Sequence, residues 1–465
     1  MSIEHEEFRD KVATIDNEGK RVWVFPTKPK GRFYLTRTQL SVVYLIIFFA
    51  LPFFKVEGHP LFLINILERK FILFGQIFWP QDFFIFGLGM ILFIVFIALF
   101  TVVFGRVFCG WACPQTIFME MVFRKIEYWI EGDAPKQRML AKAPWDAKKI
   151  RIKLFKWTVF WIVSFIIANT FLAYIIGVDE LKKLITEPIG EHIGGFSAIV
   201  IFTCIFFFVY SWFREQVCTV VCPYGRMQGV LLDADSINVT YDYIRGEERA
   251  KFKKNEERTS GDCIDCYQCV KVCPTGIDIR NGTQLECVNC TACMDACDTM
   301  MRAVGLPEGL IRYASENNIA QKKAFTFTKR MKAYTAIMVV LLGILVFLLL
   351  SRTDVGVSIL RTPGQLYQQK DGTISNLYNY RFINKTYHNK QLELKPLNFK
   401  GSISLVGHAS LKIPAENSIS GSLFIILPES EVKDRKTELE IGVYENGEKV
   451  STITTAFLGP FLAND

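Results

Sequence analysis

Eight cysteines between Cys263 and Cys297 constrain this chain more than any other feature of its sequence. They fall in two copies of one spacing, C-x2-C-x2-C-x3-C, and Pro274 follows the first copy. The copies comprise Cys263, Cys266, Cys269 and Cys273, then Cys287, Cys290, Cys293 and Cys297. Three thiolates at this spacing can wrap a tight loop around three corners of a cube, whereas the fourth lies too far along the chain to reach the same cube.

This spacing is typical of bacterial ferredoxins with two [4Fe–4S] clusters, in which the fourth cysteine of each copy binds the other cluster. The pattern predicts one cluster on Cys263, Cys266, Cys269 and Cys297, and a second on Cys287, Cys290, Cys293 and Cys273. Structural zinc is an alternative, but zinc sites usually pair C-x2-C knuckles across a longer gap. Disulfides are the other alternative; the crossed spacing and the reducing compartment inferred below disfavour them.

The composition is that of a membrane protein, because half of the residues are hydrophobic and 40 are phenylalanine. Five stretches lack charged residues for long enough to cross a bilayer, which takes about 17–25 residues. They are Thr38–Phe54, Phe83–Gly105, Trp157–Val178, Ile193–Phe213 and Ala333–Ser351. The sequence therefore predicts a membrane α-helical bundle of about five transmembrane helices.

A further apolar stretch, Leu61–Trp79, is interrupted by three charged residues, Glu68, Arg69 and Lys70. Charges inside the hydrocarbon region are costly, so we interpret this stretch as an interfacial or re-entrant segment. A sixth transmembrane helix is the alternative.

Lysine and arginine residues are distributed unevenly between the loops. Eight of them precede Thr38 and eleven lie in Arg106–Lys156, whereas Asp179–His192 contains two. Cytoplasmic loops carry the excess of these residues in membrane proteins. We therefore expect the N-terminus and residues 214–330 on the cytoplasmic side, and the residues after Ser351 on the outer side.

The cysteines agree with this orientation. All thirteen lie between Cys109 and Cys297, and none falls in a predicted outer segment. Cys204 is placed inside the fourth predicted span, and the other twelve lie on the cytoplasmic side or at its membrane edge. Thiols that are kept reduced for metal binding belong in a reducing compartment.

A second cysteine motif, C-x3-C-P, occurs after the second and the fourth predicted spans. Its residues are Cys109, Cys113 and Pro114, then Cys218, Cys222 and Pro223. Cysteines four residues apart share one face of a helix if the helix continues, and the proline is expected to loosen the turn that follows. The two segments look like an internal repeat at one membrane depth, so that four thiolates can meet between two helices.

Soft thiolates select Cu(I), zinc or an iron–sulfur centre, so the motif alone leaves the metal open. We expect neighbouring arginines to lower the pKa of these thiols, namely Arg106, Arg124, Arg214 and Arg226. The alternative is that the four cysteines are small buried residues without a redox role.

Three other residues are weaker candidates. Cys204, in the fourth span, is either a small buried residue or a ligand. His59 and His192 lie in predicted outer loops, where they either bind a metal ion or are simply solvated. No histidine falls inside a predicted span, which argues against a haem held by two histidines within the bundle.

The last part of the chain changes character, because short alternating strands there are separated by proline, glycine and asparagine turns. The predicted order is a cytoplasmic N-terminal arm (1–37), four transmembrane helices with the first C-x3-C-P motif (38–213), a cytoplasmic segment with the second motif and a ferredoxin module at about 255–310 (214–330), a fifth transmembrane helix (331–351) and a periplasmic immunoglobulin-like β-sandwich (352–465). The sandwich contains no cysteine and must be stabilised by its core.

This combination resembles the cytochrome c oxidase accessory protein family CcoG, also called FixG or RdxA. The resemblance covers nearly the whole chain and rests on F-C-G-W-A-C-P-Q at Phe108–Gln115, V-C-P-Y-G-R at Val221–Arg226 and the eight ferredoxin cysteines. It implies a multi-pass protein of the bacterial cytoplasmic membrane that reduces Cu(II) to Cu(I) and assists assembly of a cbb3-type cytochrome oxidase.

Carried over to this sequence, the resemblance makes the eight ferredoxin cysteines the ligands of two [4Fe–4S] clusters. Cys109, Cys113, Cys218 and Cys222 become the catalytic or copper-binding cysteines. The implied partners are membrane lipid, oxidase assembly factors or copper chaperones, and an electron donor that the sequence does not identify.

Two other functions fit the same residues. A subunit similar to NapH and NosR would relay electrons to a partner reductase without any role for copper. A structural assembly factor would use its clusters only as sensors. Nucleic-acid binding is not expected, because membrane topology accounts for the basic residues.

Overall fold

The computed structural model describes residues 13–460 except 17, 57, 67–69, 80–81, 189, 191, 255–257, 408–410 and 433. The chain divides into two compact units. The first comprises Met1–Pro52, Gly89–Ala173 and Gly177–Leu342, and the second comprises Phe53–Leu88, Tyr174–Ile176 and Gly343–Asp465.

Five helices of the described chain are long and apolar enough to cross a membrane, which confirms the predicted number. Spans 1 to 5 are Arg32–Phe53, Phe83–Phe104, Ala147–Ile176, Ile193–Phe213 and Lys329–Leu350. Spans 1, 3 and 5 begin earlier than the apolar pattern indicates, because their polar first turns are helical too. In span 3 the side chain of Asp146 caps the helix by accepting a hydrogen bond from the Lys149 N–H at 2.7 Å.

Shorter helices connect the spans and build the cysteine-rich segments. They are Val107–Trp111, Pro114–Thr116, Arg124–Ile130, Ala134–Lys142, Val178–Thr186, Pro223–Leu231, Tyr243–Gly246, Gln268–Lys271, Ala292–Val304 and Glu316–Gln321, with 3₁₀ turns at Leu51–Phe53, Ile279–Asn281 and Glu429–Glu431. Among the described residues, π-helical segments occur at Ile117–Phe123, Val209–Phe213 and Val217–Val221. π-Helical turns are often found at functional sites, and here they adjoin both C-x3-C-P motifs.

The ferredoxin module lies in the first unit. Strand β6 (Asn238–Tyr241) pairs antiparallel with β7 (Ile311–Ala314), and both pack against the cysteine loops and the helix Ala292–Val304. Span 1 starts on this helix, because the carboxylate of Asp295 accepts hydrogen bonds from the Phe33 and Tyr34 N–H groups. Gly31 precedes the span with a φ of 149°, and any Cβ there would collide with Asp295.

The stretch Leu61–Trp79 forms a three-stranded antiparallel sheet in the second unit, so it is not a sixth transmembrane helix. Its place at the membrane interface stays a prediction. Its strands are β3 (Phe62–Asn65), β4 (Lys70–Leu73) and β5 (Gln76–Phe78), preceded by the short pair β1 (Lys55–Val56) and β2 (His59–Pro60). Phe74 and Gly75 connect β4 to β5, and both have positive φ, as a tight two-residue hairpin requires. The apolar composition of this stretch did not indicate the turn between β4 and β5.

The second unit also contains the predicted immunoglobulin-like sandwich. Its strands are β8 (Val355–Arg361), β9 (Gln368–Lys370), β10 (Thr373–Asn384), β11 (Lys390–Pro396), β12 (Ser402–Leu405), β13 (Leu411–Ile413), β14 (Ser418–Pro428), β15 (Lys436–Glu445) and β16 (Glu448–Leu458). One sheet has the order β12-β14-β10-β8 with β9 beside β10, and the other has the order β13-β11-β15-β16. Alternate residues of β10 are buried between the sheets, including Tyr378 and Phe382, so that the core stabilises this domain without a disulfide.

A buried ionic network joins three segments of the first unit. The Glu127 carboxylate, 1 % exposed, pairs with the Lys156 ammonium of span 3 at 3.0 Å and with the Arg214 guanidinium after span 4 at 2.9 Å. Arg124, on the same helix as Glu127, is also buried. Burial by itself raises the pKa of Glu127, but the charges of Arg214, Lys156 and Arg124 outweigh burial and lower this pKa to about 2.

We predict that Glu127→Ala destabilises the protein by about 3–5 kcal/mol, because it leaves buried cations without their partner. Thermal unfolding of the purified protein in detergent measures the effect. Glu180→Ala is the control, because the Glu180–Lys183 pair is exposed and such surface pairs contribute little to stability. Equal losses in the two variants would contradict the prediction.

The contribution of the Glu127 carboxylate to the stability of the protein depends on pH. Its pKa in the folded protein lies below its ordinary value of 4.5, so the stabilisation is complete above pH 4.5 and is lost as the pH falls toward 2. The difference in stability between the native protein and Glu127→Ala should therefore shrink over that range.

Candidate metal centres

Two apolar cavities in the ferredoxin module are lined by cysteines. Around the first lie Cys263, Cys266, Cys269 and Cys297. Around the second lie Cys273, Cys287, Cys290 and Cys293, with Cys269 in the wall between the two cavities. The structure thus brings together the two crossed sets that the spacing predicts, each with the fourth cysteine of the other copy. Their roles as ligands stay a prediction that this geometry supports.

The two cysteine loops share one backbone conformation. Asp265 and Tyr267 in the first copy, and Asn289 and Thr291 in the second, all have positive φ between 51° and 64°. Left-handed residues that alternate with right-handed ones turn successive N–H groups toward one side, which creates a concave site for an anion. A thiolate-bound iron–sulfur cluster is such an anion, so the loops suit the group that the cysteine spacing indicates.

The thiols of these loops are deeply placed. Burial raises the pKa of Cys269 and of Cys287 to about 12, and that of Cys290 to about 11. Without metal these side chains are therefore neutral and unreactive at pH 7. Thiols become thiolates when they bind metal, so the assembly of clusters here releases protons.

The two C-x3-C-P motifs have the same local structure. In each motif the second cysteine is extended, with φ −64° and ψ 125° at Cys113 and φ −64° and ψ 110° at Cys222. The next residue, Pro114 or Pro223, occupies the first position of a new helix, where proline is favoured. The helix therefore does not continue through the motif, and the expectation that proline loosens the following turn is wrong, because each proline starts a helix instead.

The four cysteines of these motifs lie close together in the first unit. The Cys218 thiol is within electrostatic range of Cys109, Cys113 and Cys222. Burial, reinforced by these neighbours, raises the pKa of Cys218 to about 12. At Cys109 burial also raises the pKa, and Arg106 opposes it without reversing it. The expectation that arginines lower these pKa values is therefore wrong for both thiols, because desolvation dominates.

No preformed site for a single metal ion occurs in the described ranges, since no three histidine, cysteine, aspartate or glutamate side chains converge closely enough. His59 stacks on Tyr387 with ring centroids 4.2 Å apart and pairs with Glu416 at 2.9 Å. His192 pairs with Glu187. Cys204 is exposed on span 4 and lies outside both cavities. The weaker candidates thus take no part in the cysteine sites.

The first C-x3-C-P motif packs directly on the loop of the second cysteine cavity. Gly110, between Cys109 and Cys113, touches the backbone of Val288 and Asn289, and a Cβ at Gly110 would collide with the Val288 carbonyl oxygen. The Arg37 guanidinium donates a hydrogen bond to the Gly110 carbonyl at 2.6 Å. The motif and the loop are therefore adjacent, with no side chain between them at Gly110.

A hydrogen-bonded pair of aromatic residues makes a second link between the motif and this loop. The Trp111 Nε1–H donates to the Tyr313 hydroxyl at 3.1 Å, and that hydroxyl donates to the Asn289 carbonyl at 3.4 Å. Arg106 adds a third link by donating to the Leu285 carbonyl. Sequence reasoning singled out neither Trp111 nor Tyr313, because their roles depend on the folding of distant segments onto each other.

Gln228 connects the two C-x3-C-P motifs. Its Oε1, which is fully buried, accepts hydrogen bonds from the Arg106 Nε at 3.0 Å and from the Cys109 thiol at 3.1 Å. Gln228 lies on the helix that Pro223 begins, so the second motif positions the first cysteine of the first motif. No sequence signal marked this residue.

Three family profiles match the chain. Residues 86–136 match a 4Fe-4S binding domain, residues 213–316 match a 4Fe-4S dicluster domain, and residues 345–460 match an IG-like fold at the C-terminal of FixG. With the five spans and the two cysteine cavities, these matches define a membrane-spanning iron–sulfur electron-transfer protein.

Similar proteins show to which family of membrane iron–sulfur proteins the chain belongs. The chain is 34% identical to protein RdxB of Cereibacter sphaeroides over 88% of this chain and 89% of RdxB, and 31% identical to RdxA of the same organism over 94% and 98%. It is 33% identical to the nitrogen fixation protein FixG of Rhizobium meliloti over 66% of this chain and 59% of FixG. The chain belongs to the FixG/RdxA family.

The crossed assignment of ligands predicts in which double variants the iron losses of the two single variants add up. Cys273→Ser and Cys287→Ser should disturb the same cluster, so the double variant should lose no more iron than either single variant, roughly half of the total. Cys273→Ser combined with Cys263→Ser should lose nearly all of it. Iron and sulfide analysis with EPR after anaerobic purification measures this, and the reverse pattern of additivity would refute the crossed assignment.

Close packing at Gly110 predicts that Gly110→Ala destabilises the protein by about 1–3 kcal/mol, because the Val288–Asn289 backbone must move. The EPR signal of the cluster on Cys287, Cys290 and Cys293 should also change. Gly89→Ala is the matched control, since a Cβ at Gly89 meets nothing within 4 Å. Identical melting temperatures and spectra for the two variants would contradict this packing argument.

Proposed function

We propose that this protein takes electrons through two [4Fe–4S] clusters and reduces Cu(II) to Cu(I) at the four cysteines of its C-x3-C-P motifs. The Cu(I) would then serve the assembly of a cbb3-type cytochrome c oxidase. The observation that carries the proposal is the contact of Gly110 with Val288 and Asn289, which sets a group of soft thiols against the loop of the second cluster. Membership of the FixG/RdxA family supports it.

The clusters, held by the two crossed cysteine sets, supply single electrons when they are bound. Reduction of one cupric ion consumes one electron, so donor and acceptor match in stoichiometry. The residues of this chain contribute the rest. Thiolates are soft ligands that select Cu(I). The four cysteines therefore favour Cu(I), the product of the reduction. Cys109 is buried, which limits the access of water to its thiol.

Arg106 has a supporting role in this proposal. Its guanidinium is 3 % exposed and lies within electrostatic range of Cys109. A positive charge at this place offsets part of the negative charge that builds up when thiols bind copper as thiolates. The hydrogen bonds of Arg106 to Gln228 and to the Leu285 carbonyl fix the position of that charge.

The proposed orientation places the N-terminus and the ferredoxin module in the cytoplasm and the β-sandwich in the periplasm. The distribution of lysine and arginine supports it. The proposed partners follow from the same assignment: a cytoplasmic electron donor for the clusters, and copper chaperones or oxidase assembly factors that receive Cu(I).

A second function is favoured by one observation. The 4Fe-4S binding domain profile covers residues 86–136, which include Cys109 and Cys113 but none of the eight ferredoxin cysteines. In this function the four C-x3-C-P cysteines hold a further iron–sulfur group, and the protein relays electrons to a partner reductase without handling copper.

We predict that Cys109→Ser combined with Cys113→Ser abolishes the reduction of Cu(II), since it removes half of the thiols that receive the ion. The protein is first reduced with dithionite and separated from it by anaerobic desalting, because free dithionite reduces Cu(II) by itself. Cu(II) is then added, and a colorimetric Cu(I) chelator measures the rate. Cys204→Ser is the control, because Cys204 is exposed and outside the cysteine cavities. Full activity of the double variant would refute the role assigned to these thiols.

Metal analysis of the same proteins separates the two functions. Copper that binds to the native protein and not to the double variant, with iron unchanged, supports cupric reduction. Iron lost from the double variant, with no copper bound to the native protein at any ratio, supports the electron relay.

A further inference from the structure

A cavity of about 600 Å³ lies beside the first turns of span 1, apart from both cysteine cavities. Two lysines and four other polar or aromatic residues line it: Lys28, Lys125, Tyr34, Thr38, Tyr128 and Trp129. Its volume falls in the range of about 300–1,000 Å³ that is typical of ligand sites. Neither the cluster ligands nor the C-x3-C-P cysteines contribute to its walls.

Two ammonium groups lie on the cavity wall, and the Asp133 carboxylate beside it accepts a hydrogen bond from the backbone N–H of Lys28 at 2.8 Å rather than from its side chain. The Lys125 ammonium donates to the Thr38 hydroxyl at 3.3 Å and lies 5.6 Å from the centre of the Tyr34 ring. Within the part of the chain that the structure describes, neither Lys125 nor Lys28 pairs with a carboxylate. Burial, followed by the charges of Lys28 and Arg37, lowers the pKa of Lys125. Such a site attracts a ligand with negative charge.

The cavity also lies at the start of span 1 and near span 3, two of the helices that are long and apolar enough to cross a membrane. Tyr34 and Thr38 belong to the first two turns of span 1, and Leu35 between them is 60% exposed. Trp129 is 72% exposed and lies near Phe155 of span 3, with ring centroids 6.0 Å apart. Tryptophan, tyrosine and lysine side chains at the ends of spans are typical of the headgroup layer.

We propose that this cavity binds the phosphate headgroup of an anionic phospholipid of the phosphatidylglycerol or cardiolipin class. Lys28 and Lys125 supply the charge, and the Tyr34 and Tyr128 rings supply flat walls. The acyl chains lie against the exposed apolar face that starts at Leu35. A quinol fits less well, because it is neutral and the lining residues include no carboxylate to accept its protons.

The lipid would support the start of span 1 on the ferredoxin module. Tyr34 and Tyr128 also border a small cavity that Cys290 lines, and the Tyr34 N–H is bonded to Asp295 at 2.7 Å. A headgroup against these two tyrosines therefore limits their motion next to the second cysteine loop. This inference is independent of the proposed copper chemistry.

The test uses the full-length protein in nanodiscs of phosphatidylcholine with a small fraction of phosphatidylglycerol, and native mass spectrometry after release counts the retained lipid. Lys28→Gln combined with Lys125→Gln should weaken retention of phosphatidylglycerol roughly tenfold or more, since each lysine near the headgroups contributes about 1 kcal/mol. Lys142→Gln combined with Lys148→Gln removes the same charge from exposed positions outside the cavity, and should change retention little.

The outcomes are distinct. Selective loss in the cavity variant, with unchanged iron content and melting temperature, supports the proposal. Equal retention in both variants overturns it. Inorganic phosphate that binds the delipidated protein as tightly as the lipid does would show a site for free phosphate instead. A quinone that co-purifies with the native protein and is lost only from the cavity variant would show a quinone site.

Discussion

The contact between Gly110 and the Val288–Asn289 backbone is the constraint on which the functional half of the molecule depends. It requires a residue without a side chain between two cysteines, and it brings a motif that follows span 2 onto a loop more than 170 positions later in the chain. Once the two backbones touch, Trp111 and Tyr313 can hydrogen-bond. A transmembrane helix end and a soluble-type cysteine loop thereby become one packed unit.

Buried charges also hold these segments together. Glu127 binds cations from two other segments, Lys156 and Arg214, and Arg214 lies four positions before Cys218. An isolated buried charge is costly, so the three segments are stable only in the arrangement that pairs them. In addition, Asp295 accepts hydrogen bonds from the first turn of span 1. The positions of the cysteines thus depend on the polar contacts of Glu127 and Asp295.

Much of the fold could be predicted from the sequence, because the decisive signals are local. Apolar runs gave the number of spans, and alternation with turn residues indicated the sandwich. The crossed pairing of cysteines follows from their spacing, and the structure places Cys273 and Cys297 accordingly. The sheet in Leu61–Trp79 was not predicted, since apolar content does not distinguish a small hairpin sheet from a membrane segment and the turn at Phe74 carries only one glycine.

The errors at the candidate site have a common physical cause. Charge near Cys109 was visible in the sequence, but the extent of its burial was not, and burial decides the direction of the pKa change. Pro114 was expected to disturb a helix, whereas the chain had already left the helix at Cys113. Gln228 bonds to Cys109 and Tyr313 bonds to Trp111, each pair more than a hundred positions apart, and no local pattern reports such contacts.

The sandwich of the second unit is stabilised by its apolar core and has no thiol, since every cysteine of the chain precedes Leu306. This segregation has a consequence for metal selectivity. A soft ion that reaches this domain finds no sulfur to capture it, and an oxidant finds none to cross-link. Capture of metal by sulfur and cross-linking by disulfides are therefore confined to the stretch from Cys109 to Cys297.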